Sequence, residues 1–176
     1  MPLRNGAHGY GVVTKSLHWL TVLAVATQFV VGYSMEVEDS GHGRGRGRGD
    51  GSGHGRGRGG GDDDLGVLDG SLDLVDLHVL LGLTILALAT TRLVWRLTTP
   101  LPPWDPRLTS GNQRVVHATE VALLTLLFVV PATGLALVLG DDDLLPVHVA
   151  AHVAFFVALA AHLGMVLGKR LLPRML

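Results

Sequence analysis

The sequence contains no cysteine, and this absence excludes several ways of holding a cofactor. Without a thiol, the chain cannot form disulfides, bind an iron–sulfur cluster through thiolates or attach a c-type haem covalently. Charged residues are also few, at 16% of the chain, and they are nearly absent from four long apolar segments. The charge is therefore segregated along the chain, so the formal net charge of −1 says little about partners.

The four apolar segments set the fold class. They cover about residues 12–35, 74–97, 115–139 and 147–167, and each reaches the ~20 residues that a helix needs to cross ~30 Å of hydrocarbon. A soluble domain would instead distribute its apolar residues with a period of 2 or 3.6. The sequence predicts an all-α protein, a four-helix transmembrane bundle that forms one domain over residues 1–176.

The positions of lysine and arginine predict the orientation of this bundle. Outside the first connection they lie in three segments that share one side of a membrane crossed four times: Arg4 and Lys15; Arg92, Arg96, Arg107 and Arg114; Lys169, Arg170 and Arg174. Positive residues favour the cytoplasmic side, so both termini are predicted to be cytoplasmic. The first connection contains five arginines but more acidic residues than basic ones, and long loops weigh less in this rule.

The first connection is of low complexity, with glycine at almost every second position over residues 41–61. Such a composition has no apolar surface to offset the entropy of ordering, which predicts a disordered Gly/Arg-rich outer loop over about residues 38–70. Two other interpretations are a nucleic-acid-binding tract and a metal site at His42 and His54. The outer location and the wide spacing of the two histidines favour a solvated linker, and no nucleic-acid partner is predicted.

Six of the nine histidines lie within or at the ends of the apolar segments: His18, His78, His117, His148, His152 and His162. Polar groups in membrane spans are candidate functional sites. The predicted topology places His78 and His148 at the outer level, and His18, His117 and His162 at the inner level. Two bis-histidine haems would require one pair at each level. Depth alone allows either His18 or His117 as the partner of His162.

The fourth segment carries histidines at both levels. His148 and His162 are 14 residues apart, which separates them by ~40° in azimuth and ~21 Å in height on a helix. This distance is too large for a dinuclear metal site, whose ions lie ~3.5–4 Å apart. His152 diverges from His162 by ~80°, and it is interpreted as a bystander bonded to a neighbouring helix or a propionate. Glycines within the segments either give a macrocycle clearance or pack helices together: Gly32, Gly82, Gly134 and Gly164.

Four stretches resemble, in order, the spans of the bacterial cytochrome b561 family: YGVVTKSLHWLTVLAV, DLHVLLGLTILALATTRLVWR, VVHATEVALLTLLFVVPATGLAL and VHVAAHVAFFVALAAHLGMVL. The resemblance rests on the initial Tyr-Gly with Leu-His-Trp, on Leu-His…Gly…Arg-x-x-Trp-Arg, and on the 14-residue histidine interval. It covers about three-quarters of the chain, everything except the Gly/Arg-rich loop and the extreme ends.

This resemblance implies a bacterial inner-membrane protein with two haem b groups that exchanges electrons with a quinone, ubiquinone or menaquinone. It implies that His18 and His162 bind the inner haem iron, and that His78 and His148 bind the outer one. His117 is assigned to a propionate or quinone site. At the inner end of the second span, Arg92 and Arg96 are candidate propionate partners, although positive anchors are common there.

Some family members oxidise superoxide outside the membrane and reduce ubiquinone. Here the Gly/Arg-rich insertion and the acidic connection GDDDLLP depart from the family, and acidic charge repels an anion such as superoxide. Glu120 also departs from the pattern, either as a proton relay to quinone or as a side chain that snorkels to the interface.

The sequence thus predicts an electron-transfer oxidoreductase, a di-haem b-type cytochrome linked to quinone, with superoxide oxidation as a further activity of the family. One alternative is a haem-binding membrane anchor that docks a redox protein, such as a dehydrogenase or hydrogenase-type partner. Another is a haem-free transporter of metal ions or protons that uses its intramembrane histidines.

Overall fold

The computed structural model describes residues 3–6, 9–42, 73–140 and 142–175. Four helices account for most of these ranges: α1 (Val12–His42), α2 (Leu74–Thr98), α3 (Ser110–Val138) and α4 (Leu145–Gly168). No strand occurs within the described ranges, where Gly6 and Gly9 form an isolated bridge. Helix α1 continues to His42, a few residues beyond the predicted start of the Gly/Arg-rich loop. The rest of that loop, with His54, lies outside the described residues.

All four helices are long and apolar enough to cross a membrane, over Val12–Met35, Leu74–Thr98, Ser110–Val138 and Leu145–Gly168. The predicted four-helix transmembrane bundle is therefore confirmed. Helix α3 begins at Ser110 rather than near residue 115 because Thr109 caps it, and its side chain accepts a hydrogen bond from the Asn112 backbone N–H at 3.3 Å. The apolar segment in the sequence begins only after this polar first turn. The start of the helix depends instead on one hydroxyl group, which mean hydropathy does not detect.

The helices pack in chain order around a small apolar core. Helix α1 lies against α2, α2 against α3, and α3 against α4, and the core centres on Ile85, Ala89, Leu127 and Phe155. Many large apolar side chains point away from this core and are exposed, among them Leu23, Val30, Val153 and Val157. A continuous apolar exterior of this kind fits a bundle surrounded by lipid.

Helices α1 and α4 meet mainly through aromatic side chains near the middle of the bundle. The Phe29 ring lies 4.6 Å from the Phe156 ring and 5.9 Å from the Phe155 ring, measured between centroids. The backbones of α1 and α4 approach each other less closely than those of the sequential neighbours, so these rings bridge the two helices.

The segment preceding α1 is bonded to the α2–α3 connection at one end of the bundle. The Asn5 Oδ1 atom accepts hydrogen bonds from the Gly11 N–H at 3.0 Å and the Thr14 hydroxyl at 2.7 Å, while Asn5 Nδ2 donates to Pro100 O at 3.1 Å. Gly11 has no space for a side chain, since a Cβ there would lie 2.5 Å from Leu3 O. These contacts hold the entry to α1 against the bundle.

The C-terminal turn is bonded to the same end through Asp105. The Asp105 carboxylate accepts hydrogen bonds from the Arg107 backbone and guanidinium at 2.9 Å, and it lies 3.7 Å from Arg174 Nη1. Arg174 Nη2 also donates to Pro103 O at 2.7 Å. The hydrogen bonds from Arg107 lower the pKa of Asp105 to about 2, and the charge of Arg174 acts in the same direction.

We expect Asp105→Asn to lower the thermal stability of the detergent-solubilised protein at pH 7. Because the pKa of Asp105 is depressed in the folded state, its contribution is full above the unfolded value near ~4 and is lost as the pH falls through about 2. The difference in Tm between wild type and variant should therefore shrink as the pH falls from 5 toward 2. Asp143→Asn, at an exposed position, is the control; an equal loss there would contradict the specific role of Asp105.

Candidate functional site

Three histidines converge at the end of the bundle where α1 and α3 finish and α2 and α4 begin. His78 on α2 and His148 and His152 on α4 line one cavity of about 250 Å³, which is bordered by all four helices and is otherwise mostly apolar. The His148 and His152 rings meet edge to face with centroids 4.5 Å apart. We call these three residues the outer cluster.

The side chain of His148 is held against α3 in a defined tautomer. The Thr133 hydroxyl lies 2.9 Å from Val129 O and 3.0 Å from Val130 O, so its proton is directed to these carbonyls. Its oxygen then accepts a hydrogen bond from His148 Nδ1 at 2.8 Å, which leaves the lone pair on Nε2. Iron-binding histidines are commonly fixed through their other ring nitrogen in this way.

His78 faces α1 across a position without a side chain. A Cβ at Gly32 would lie 3.2 Å from His78 Cε1, so glycine allows the ring to approach the α1 backbone closely. Within the described residues, the Nδ1 atom of His78 is buried and has no hydrogen-bond partner. An intramembrane histidine ordinarily forms a hydrogen bond between helices. The Nδ1 atom of His78 forms no such bond among the described residues.

A second group of histidines, the inner cluster, lies at the opposite end of the bundle. His18 on α1 lies within electrostatic range of His162 on α4 and of Arg92 on α2. The Nδ1 atom of His18 is also buried without a hydrogen-bond partner among the described residues. Arg92 further interacts with Glu120, whose carboxylate forms an ion pair with Arg96 at 3.2 Å.

The structure brings His18 into electrostatic range of His162. His117 is exposed on α3, whereas the neighbouring residues Val116 and Thr119 are buried. His117 therefore faces away from the bundle, at the same end as the inner cluster. Depth along the membrane did not distinguish His18 from His117 as the partner of His162. The direction in which His117 points depends on how α3 is rotated about its axis when it packs.

Two polar residues of the outer cavity were not recognised as site residues in the sequence. Gln28 lines the cavity from α1, and its Oε1 atom is buried without a hydrogen-bond partner among the described residues. His152 donates from Nδ1 to His148 O at 2.9 Å, within its own helix rather than to a neighbouring one. A lone amide in the middle of an apolar span is the signal that could have identified Gln28.

Residues 9–176 match the family model for prokaryotic cytochrome b561. The chain belongs to this family. It is accordingly a multi-pass bacterial membrane protein of a family that binds haem b and transfers electrons. No curated protein and no solved structure matches the chain.

The outer cluster of this cytochrome b561 fits a haem by the chemistry of its donors and walls. His78 and His148 offer imidazole nitrogens from different helices, and apolar side chains form most of the surrounding surface. Of the four glycines considered in the sequence, Gly32 and Gly134 adjoin these two histidines. Gly82 faces Gln28 instead, and a Cβ at Gly164 would meet no described atom within 4 Å. Only two of the four glycines thus provide clearance at the candidate ligands.

The inner cluster fits a haem in a complementary manner. His18 and His162 again come from different helices, and Arg92 places a cation beside them. A haem carries two propionates as well as its iron, and arginine pairs well with carboxylates. The donor set at this end therefore matches both the metal and the acidic edge of the group.

We expect Gly134→Val to weaken haem retention at the outer cluster. A Cβ at Gly134 would lie 3.0 Å from His148 Cε1, so a branched side chain must displace the ring, at a typical overpacking cost of about 1–3 kcal/mol. Haem content per chain, measured as pyridine haemochrome after size-exclusion chromatography, should fall. Ala132→Val, at an exposed position of the same helix, should keep the wild-type content. Equal content in both variants would show that this close approach is unimportant.

Proposed function

We propose that this cytochrome b561 is a di-haem protein that carries single electrons across the membrane to or from a quinone. His18 and His162 hold the inner haem iron, and His78 and His148 hold the outer one. The observation that carries the proposal is the presence of two histidine clusters at opposite ends of the bundle, with α4 contributing to both.

Bis-histidine ligation suits electron transfer. Such a haem supplies a one-electron couple with no open position on the iron for oxygen. The protein contributes the fixed imidazoles, such as His148 held by Thr133, and an apolar surround that excludes water. A ligand set that does not change between oxidation states keeps reorganisation small, which is what a relay requires.

Helix α4 contributes a histidine to each of the two sites. His148 and His162 are separated by ~21 Å along the helix, and Phe155 occupies the midpoint, packed against Phe29 of α1. These aromatic rings lie between the two clusters. Electrons can therefore pass between the clusters through packed apolar side chains.

Quinone exchange belongs at the inner cluster. Arg92, Glu120 and Arg96 form a charged group there, and quinone reduction consumes protons that such a surface-linked group can deliver. His117 is exposed nearby on α3, so a quinone dissolved in the bilayer reaches it without entering the bundle. We assign His117 to the approach of quinone and Arg92 to propionate or quinone contact.

Where electrons enter at the outer end, the charge of their donor matters. The third connection is acidic, and its Asp143 is exposed beside the start of α4. This charge disfavours a free anion such as superoxide and suits a redox protein with a basic docking surface. We therefore favour a protein donor over superoxide at this end.

The proposed orientation places both termini in the cytoplasm of the bacterium. Because the chain lacks cysteine, a single cysteine substitution is its only thiol. The reaction of that thiol then reports on which side of the membrane the residue is accessible. We expect Ser52→Cys in the first connection to react with a membrane-impermeant maleimide in spheroplasts, and Arg4→Cys to react only after the inner membrane is opened. The reverse pattern would invert the orientation and place quinone chemistry at the other face.

Single-ligand variants test the haem assignment. His78→Ala and His162→Ala should each retain one haem per chain, and their reduced-minus-oxidised spectra should lack different components of the wild-type spectrum. His117→Ala is the matched control, and we expect it to keep both haems because its ring lies outside the clusters. Retention of both haems in His78→Ala or His162→Ala, or loss of one in His117→Ala, would refute the ligand assignment.

A further inference from the structure

The outer cavity is lined by more histidines than one haem iron can bind as axial ligands. His78, His148 and His152 all line it, but a bis-histidine haem takes two axial nitrogens. His148 is attached to α3 through Thr133 and serves as the α4 ligand in the proposed function. His152 is then left beside the haem with a role that ligation does not account for.

The hydrogen bond of His152 determines which of its ring nitrogens carries the lone pair. The His148 carbonyl can only accept, so His152 Nδ1 must carry the proton that is donated at 2.9 Å. In the neutral ring the lone pair is then on Nε2. The ring itself is positioned edge-on to Phe29 at 6.0 Å between centroids, which limits its rotation.

Gln28 is in a comparable state on the opposite helix. It lines the same cavity, and its Oε1 atom is buried without a hydrogen-bond partner among the described residues. It lies one turn from Gly32, which adjoins His78, and it faces Gly82 on α2. Leaving such an acceptor unpaired is unfavourable in a low-dielectric interior, so the negative end of this amide dipole is available to a positive charge in the adjoining cavity.

The Gln28 Oε1 atom and the His152 Nε2 atom are the negative ends of dipoles, and both belong to residues that line the cavity. An oxidised haem iron with two neutral imidazoles carries one more positive charge than the reduced form. In a low-dielectric pocket, fixed negative dipole ends stabilise that charge strongly. We propose that Gln28 and His152 form a polar layer that stabilises the oxidised outer haem and so lowers its reduction potential. This inference rests on the proposed function, because it requires a haem at the outer cluster.

The test is a potentiometric titration of the purified holoprotein and of two variants, Gln28→Met and His152→Leu. We expect each variant to keep two haems and to raise one midpoint potential, with about a tenfold change in the equilibrium constant for reduction, or about 59 mV for a one-electron couple. The component that shifts should be the one that His78→Ala lacks. The control is Thr27→Val, next to Gln28 at an exposed position, which should shift neither potential.

Two haems with unchanged potentials in Gln28→Met would overturn this inference while leaving the proposed function intact. An upward shift in the component that His78→Ala retains would overturn it as well. Loss of one haem in His152→Leu together with two haems in His148→Leu would make His152 the iron ligand, and the polar-layer role would then be wrong. If His152→Leu does not fold, Gln28→Met decides alone. Absence of haem from the wild type would instead refute the proposed function.

Discussion

Hydrocarbon offers no hydrogen-bond partner to an imidazole, and this constraint organises the whole bundle. A buried ring nitrogen must be satisfied by the protein or by a bound group, because leaving it unpaired costs free energy. His148 and His152 each place Nδ1 in a protein hydrogen bond, which leaves the lone pair on Nε2. The buried Nδ1 atoms of His18 and His78 have no hydrogen-bond partner among the residues that the structure describes.

The surrounding residues follow from the need to position these rings. Gly32 and Gly134 lack side chains where an imidazole approaches a neighbouring helix. The Thr133 hydroxyl donates its hydrogen bond to carbonyls of the α3 backbone, so that its oxygen can accept from His148. Phe29 closes the space between α1 and α4 at mid-depth. At the end of the bundle, Asn5 and Asp105 bind the terminal segments to the α2–α3 connection, away from the core.

The transmembrane spans could be predicted from the sequence because a membrane helix is defined by length and hydropathy, which are additive properties of a segment. The family could be predicted because its motifs are local. The first turn of α3 could not, since it depends on the cap at Thr109. The exposure of His117 and the burial of the Gln28 amide depend on how the helices are rotated against each other. The sequence of a weakly amphipathic, lipid-facing helix contains little information about that rotation.

The central claim is that two bis-histidine haems occupy the two ends of one bundle. It is tested most directly by the ratio of haem to protein in the wild type, with pyridine haemochrome set against quantitative amino-acid analysis and with the low-spin signals counted by electron paramagnetic resonance. We expect two haems per chain and two low-spin ferric signals typical of bis-histidine ligation. A single haem per chain, or a high-spin centre with an open coordination position, would contradict it.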